Sequence, residues 1–238
     1  MTERGAVSWV RFLRERLELR LLAAIVAAGA AVMAFLQISD EVGEDETSAL
    51  DRTVLLWFRN PSNPADPIGS HTVEEAMRDL TALGGFTFLT LATLVAVACL
   101  LFFGKHRQAV VFAATVLLAE LSSDVLKLFF DRARPDLVPH GVYVYSHSFP
   151  SGHSTLSAAT YLTLAAILSS LDRRRRFKAF VFALAILVTV AVGVSRVYLG
   201  VHWPTDVLAG WTLGAAWALL ARVALGLWRG EAPTPERA

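Results

Sequence analysis

Three short blocks of this sequence carry side chains that an apolar chain has little reason to keep. The first is Lys127 with Arg134-Pro135 seven residues on, the second is Pro150-Ser151-Gly152-His153, and the third is Ser195-Arg196 followed by His202 and Asp206. Together they supply what a phosphate ester requires. Lys127, Arg134 and Arg196 are three cations, and guanidinium groups grip phosphate oxygens in bidentate fashion. Ser151-Gly152-His153 reads as a helix opening, where free backbone N–H groups and the dipole favour an anion, and Gly152 lets that backbone come close. His202 lies four residues before Asp206, so the carboxylate can accept its Nδ1–H and leave Nε2 free to attack phosphorus. His153 can then protonate the leaving alkoxide. Lys127 and Arg134 share a face if the helix through Lys127 continues that far, since seven residues make nearly two turns.

Each residue alone has a plainer explanation. Lys127 can snorkel at a helix end, and Arg134-Pro135 can be a helix stop. Pro150-Ser151-Gly152 is good turn and cap chemistry. His202 ahead of Pro204 can be an interfacial histidine, and Asp206 in a first turn simply favours the helix dipole. Only the set carries weight. No carboxylate cluster accompanies it, so neither a metal nor another cofactor is expected. Asp131 and Asp136, which flank Arg134, are expected to pair with arginines rather than to hold Mg²⁺. The single Cys99 excludes an intramolecular disulfide and a Cys-rich metal site.

The elements that must position these blocks are membrane helices. Of 238 residues, 55% are hydrophobic and 18% charged, and the formal net charge is +1; the mean hydropathy is +0.50. That excludes an ordinary water-soluble domain and a disordered chain, and it leaves no basic excess for nucleic acid. Six stretches approach the roughly 20 apolar residues that a span requires, at about 19–38, 83–103, 108–130, 153–171, 179–199 and 206–228. They are continuous rather than alternating, which excludes a β-barrel.

Lys and Arg set the orientation. Arg4, Arg11, Arg14, Arg16 and Arg20 precede the first span, Lys105 and Arg107 follow the second, Arg173 to Arg176 and Lys178 follow the fourth, and Arg229 and Arg237 follow the sixth. With six spans all four groups face the cytoplasm and both termini are inside. The three blocks then fall at the outer ends of helices, with the 131–150 loop outside and Ser148 an accessible position in it. A cleaved signal peptide is the alternative for the first span, but its apolar core is long for one, and a retained helix is favoured.

The acidic 39–82 segment (Asp40, Glu41, Glu44, Asp45, Glu46, Asp51) is expected outside. Leu50, Val54, Trp57 and Phe58 recur at helical spacing, as in a helix lying on the membrane surface. Pro61, Pro64 and Pro67 are expected to break regular structure. Thr72 and Glu75 read as a capping box for a second short helix running toward Leu80. Residues 1–18, with Trp9, Phe12, Leu13 and Leu17 among arginines, read as an amphipathic anchor on the inner face.

The pattern Lys127-x6-Arg134-Pro135, Pro150-Ser151-Gly152-His153, Ser195-Arg196-x5-His202-x3-Asp206 resembles the signature of the type 2 phosphatidic acid phosphatase (PAP2) superfamily, with no departure at any motif position. The resemblance covers positions 127–206, and the six-span layout is similar to the integral-membrane branch along nearly the whole chain. It implies an all-α membrane domain over 1–238 that acts as a metal-independent lipid phosphatase. It implies further that His202 forms a phosphohistidine, Asp206 orients and activates it, and His153 protonates the leaving group. Lys127, Arg134, Ser151, Gly152 and Arg196 would bind the phosphate. Placed charge and an in-line nucleophile are also what phosphoryl transfer asks for on physical grounds.

The implied substrates are lipid phosphates at headgroup depth: phosphatidylglycerol phosphate, phosphatidic acid, polyprenyl pyrophosphate or the phosphates of lipid A. Related vanadium haloperoxidases are soluble, which six spans oppose. A lipid phosphotransferase would share every motif residue and differ only in its acceptor. An inactive membrane scaffold is the least favoured reading, because His153, His202 and Asp206 are intact.

Overall fold

The apolar runs form helices whose lengths and burial differ from one another in ways that bear on the site. The computed structural model describes residues 3–44, 46–144, 146–172 and 174–230, with side chains from 18 to 228. In chain order come α1 (Glu3–Gly43), α2 (Ser48–Leu56), β1 (Arg59–Asn60), β2 (Asn63–Pro67), α3 (His71–Ala82), α4 (Phe86–Phe102), α5 (His106–Phe130), α6 (Gly152–Leu168), α7 (Arg175–Tyr198) and α8 (Pro204–Gly230). Trp9, Phe12, Leu13, Leu17 and the arginines among them fall in α1, but their side chains lie outside the described residues, as does that of Arg229. Asp45, Arg173 and Arg237 also lie outside them.

Among the described residues, four helical stretches are long and apolar enough to cross a membrane: Glu18–Gly43, His106–Phe130, Arg175–Tyr198 and Pro204–Trp228. Helices α3 and α4 pass the same test only as a pair, bent by 47° at the Gly84-Gly85 break. That break makes α4 shorter than the expected 83–103 span. Helix α6 has 17 residues and ends at Leu168 rather than Leu171. It also buries more hydroxyl side chains than α5 or α7, with Ser154, Thr155, Ser157, Thr160 and Thr163 all buried. It lies at the centre, packed by α5, α7 and α8, so its hydroxyl groups are kept from lipid; those of Thr155 and Ser157 donate to the carbonyls of Ser151 and Ser154, one turn back.

Contact between α6 and α8 depends on missing side chains. A Cβ at Gly210 would lie 2.7 Å from the Ser151 carbonyl oxygen, and one at Gly214 would lie 2.3 Å from that of Thr155. The Gly-x3-Gly spacing places both on one face of α8, where bare backbone admits close approach. The Ser151 N–H donates to the Asp206 carbonyl at 3.0 Å, which extends this seam into the second and third blocks.

At one end of the bundle, Arg107 joins the start of α5 to the end of α8. Its Nη1 donates to the Trp228 carbonyl at 2.8 Å, and its guanidinium lies 5.3 Å from the centre of the Trp228 ring. Short connections bring Lys105, Arg174, Arg175, Arg176 and Lys178 to this same end. The three blocks lie at the other.

The 39–82 segment caps the block end. Helix α2 buries Asp51 and Leu55, with Leu55 and Phe58 packed beside Val138, Val197 and Val207. Its buried stripe therefore differs from the expected one, because Leu50 and Trp57 face outward at 56% and 68% exposure. The prolines are compatible with a two-stranded hairpin, the one departure from an all-α fold among the described residues. Asn60 pairs with Asn63 across the turn, Pro61 takes the second turn position, and Pro64 and Pro67 sit on an exposed edge strand that can spare their donors. Helix α3 starts at His71 with Ser70 as N-cap. The expected Thr72–Glu75 box does not form, and Glu75 instead lies 3.5 Å from His71 Nδ1.

Candidate active site

Lys127 occupies the last turn of α5, which ends where Asp131 adopts a left-handed conformation at φ 48°. An αL residue stops a helix by turning the chain away, so Arg134 does not share a helical face with Lys127. It arrives from the irregular segment that follows and is fixed there by carbonyl oxygens. Its Nε donates to Ser146 O at 2.7 Å, Nη1 to Val201 O at 2.6 Å and Nη2 to His147 O at 3.3 Å. Asp131 pairs with His147 Nδ1 at 2.6 Å, not with an arginine, and Asp136 is exposed.

In the second block, Ser151 caps α6. Its fully buried Oγ accepts from the Ser154 N–H at 3.4 Å and from Ser154 Oγ at 3.0 Å. Gly152 opens the helix directly beneath Lys127, and a Cβ there would lie 3.0 Å from Nζ. His153, next along, faces the cavity described below.

In the third block, His202 Nδ1 lies 3.3 Å from Asp206 Oδ2. Its Nε2 lies 3.2 Å from Arg134 Nη1. A guanidinium can only donate, so Nε2 accepts and the ring proton is on Nδ1, directed at the carboxylate. Burial pushes the His202 pKa well below the usual 6.5, and the charges of Arg196, Arg134 and Lys127 add to the shift. His202 is therefore a neutral imidazole whose lone pair faces the cavity.

Asp206 is held on both oxygens. Oδ2 accepts the Trp203 N–H at 2.8 Å and a short bond from Ser148 Oγ, while Oδ1 lies 2.5 Å from Arg132 Nη1. Ser148 is thus not an accessible loop position. It is fully buried and also lies 3.4 Å from His202 Nδ1. Arg196, 3% exposed, donates through Nη1 to Thr81 Oγ1 of α3 at 2.9 Å, and its Nε has no partner among the described residues.

A cavity of about 330 Å³ brings these groups together. Lys127, Arg134, Gly152, His153, Arg196 and His202 line it, while Ser151 and Asp206 stand behind its wall. Phe86 and Leu156 give it an apolar flank, and Glu120 and Asp124 continue down α5 from Lys127. Among the described residues no three His, Cys, Asp or Glu side chains are grouped to hold a metal ion. Three cations, the backbone at a helix N-terminus and two imidazoles around one space can bind a tetrahedral oxyanion, attack it and protonate what leaves. Arg132, Ser148 and Thr81 escaped sequence reasoning. Arg132 sits inside the unspecified gap of the first block, and nothing local marks the other two.

Comparisons with known proteins point to one family. The model of the PAP2 superfamily matches residues 108–228. Phosphatidylglycerophosphatase B of Bacillus subtilis (strain 168) is 38% identical over 143 residues, covering 60% of this chain and 70% of that protein. The undecaprenyl-diphosphatase of Sulfolobus acidocaldarius is 32% identical over 124 residues, 50% of this chain and 56% of that one. The crystal structure of a transmembrane PAP2 type phosphatidylglycerolphosphate phosphatase from Bacillus subtilis superposes with a TM-score of 0.73 at 28% identity, over 88% of this chain and 98% of that one.

Proposed function

This chain belongs to the PAP2 superfamily, and on that premise we propose how its cavity hydrolyses a lipid phosphate. The protein is a membrane lipid phosphatase, a phosphoric ester hydrolase. The observation that carries the mechanism is a single cavity lined by two histidines and three cations, with Asp206 hydrogen-bonded behind one of the histidines.

Lys127, Arg134, Arg196 and the backbone at Gly152 hold the non-bridging oxygens, with Ser151 capping the helix that presents that backbone. The Nε2 lone pair of His202 attacks phosphorus in line with the ester oxygen, and the P–O bond to the lipid breaks. His153 passes its proton to the departing alkoxide. The Nδ1–H of the resulting phosphohistidine stays on Asp206, whose carboxylate offsets the new ring charge. Water then gives a proton back to His153 and attacks phosphorus, the P–N bond breaks, and inorganic phosphate leaves. The cage asks for no metal or other cofactor.

The substrate reading is a lipid phosphate monoester or pyrophosphate, with phosphatidylglycerol phosphate the first to test and phosphatidic acid, polyprenyl pyrophosphate and lipid A phosphates beside it. Water as acceptor is favoured over a phosphotransferase.

The chain is read as one domain with six spans, counting α4 and α6. At 17 residues each they reach the short limit for crossing a bilayer, about 25 Å. Both termini and the Arg107 end would face the cytoplasm, and the cavity would face outward from the inner membrane. The test is phosphate release by the purified protein from that panel of lipids. Turnover of at least one with free phosphate as product is expected, and transfer to an alcohol in place of water would overturn the hydrolase reading.

A further inference from the structure

Arg132 lies outside the cavity yet is bound to the group that orients its nucleophile. Its Nη1 lies 2.5 Å from Asp206 Oδ1 and 2.9 Å from Thr205 Oγ1. Its Nη2 lies 2.7 Å from Asp51 Oδ2 and 3.3 Å from Thr47 Oγ1. Asp51 comes from α2 and is anchored in turn to the start of α8. Its Oδ1 accepts the Thr205 N–H at 3.0 Å, and its Oδ2 accepts the Thr205 hydroxyl at 2.7 Å. Asp51 and Asp206 are both fully buried.

One guanidinium therefore bridges two buried carboxylates through its two terminal nitrogens, a geometry that an ammonium cannot reproduce. Such an arrangement is costly to desolvate and is weak evidence for stability alone. What it does is hold Asp206. A carboxylate turns easily about its last torsion, and here Arg132 fixes one oxygen, so that the other must meet His202. Asp51 fixes Arg132 and also takes part of its charge, which leaves Asp206 with more negative charge for the imidazole.

We infer that Arg132 and Asp51 are positioning residues that act through Asp206 to aim and tune His202. The inference rests on the reading of His202 as the nucleophile. It assigns the acidic outer segment a part in the rate rather than only in the cover of the bundle.

The charges around His202 give the test its sign. Arg196 faces it from α7, Lys127 from α5, His153 from α6, Arg134 from the segment after α5 and Asp206 from α8. Removing Arg132 adds net negative charge behind the ring, and removing the Asp51 carboxylate takes negative charge away. Arg132→Gln should therefore move the acid limb of kcat/KM to higher pH and Asp51→Asn should move it to lower pH. A packing defect has no reason to give opposite signs. Both variants should lose kcat by about 10- to 100-fold, by analogy with the outer partners that orient metal-ligating side chains. Inhibition by inorganic phosphate should change little, because the cations of the cage are intact.

Wild-type kcat in both variants, shifts of the same sign, or loss of phosphate inhibition in step with kcat would overturn the inference. Should Arg132→Gln not fold, Arg132→Lys keeps the charge without the bridge. It should still lose kcat, and wild-type turnover there would overturn the inference equally. His202→Ala, run in parallel, separates the two readings. A phosphoenzyme trapped in it sinks the nucleophile assignment and the inference together. Its absence beside an unaffected Asp51→Asn sinks the inference alone.

Discussion

Arg134 Nη1 lies 3.2 Å from His202 Nε2, so the proposed nucleophile has as its resting partner the arginine proposed to bind phosphate. The contact protects the lone pair and sets the tautomer. It must also yield when substrate enters, because the phosphate needs both the guanidinium and the line of approach to Nε2. Arg134→Lys should keep a cation in the cage but lose this donor. A rise in KM together with a fall in kcat is expected, and a change in KM alone would show that the arginine only binds.

The two histidines should separate by leaving group. His202→Ala should abolish turnover and leave no acid-labile phosphoenzyme in a rapid quench. His153→Ala should lose about 10²–10⁴-fold on a lipid alkoxide, the usual worth of general-acid catalysis. It should lose much less on p-nitrophenyl phosphate, whose phenolate needs little help. Equal losses on both substrates would remove His153 from the acid role.

The pH profile follows from the depressed His202 pKa. A group whose pKa is lowered stays neutral until pH falls through that lower value, so the nucleophile survives well below pH 6.5. The acid limb of kcat/KM should lie there once the second ionisation of the substrate phosphate, about 6, has been divided out. A limb at or above 6.5 would mean that a different group is titrating.

Metal removal should leave activity intact, since the positive charge comes from Lys127, Arg134 and Arg196. EDTA should not inhibit, and vanadate should, as an imitation of the transition state. Inactivation by EDTA that Mg²⁺ reverses would sink this mechanism.

Orientation can be read with a thiol probe. In a Cys99→Ala background, a cysteine replacing exposed Ala65 in β2 and one replacing exposed Lys105 in the α4–α5 turn should label oppositely with an impermeant maleimide in intact cells. Ala65→Cys should react. The reverse pattern would put the cavity in the cytoplasm.

The α6–α8 seam predicts a stability effect. In Gly214→Ala the new methyl must displace the Thr155 carbonyl, 2.3 Å from its ideal position. Overpacking typically costs about 1–3 kcal/mol, a fall of roughly 2–4 °C in Tm per kcal/mol for a chain of this size. Gly29→Ala, where nothing among the described residues lies within 4 Å, is the control and should not lower the melting temperature in detergent, since Ala suits a helix interior better than Gly.

The motif residues were legible because each block is local, and the cavity gathers most of them as spacing and charge suggest. What could not be read are contacts that join distant stretches. Arg132 reaches Asp206 across 74 positions, and Arg196 reaches Thr81 across 115, with no periodicity to announce either. The stop at Asp131 was hidden for a different reason, since a non-glycine αL residue leaves little mark in the sequence. Gly210-x3-Gly214 is local and visible in the sequence, but only the structure shows that it fixes how closely α6 and α8 approach. Hydropathy finds the long spans and overstates the ends of α4 and α6, one cut by Gly84-Gly85 and the other ending in a turn at Ser169-Ser170-Leu171.

The clamps on Arg132 and Arg196 have a consequence for where this catalyst begins. A fragment from α5 to α8 would contain every residue of the three motifs. It would nevertheless leave Arg132 with one carboxylate instead of two and Arg196 without the Thr81 hydroxyl. On the proposed roles, the smallest chemically complete unit is therefore longer than the three motifs. It reaches back to α2 and α3, and swapping that stretch between relatives exchanges part of the catalyst rather than a neutral cover.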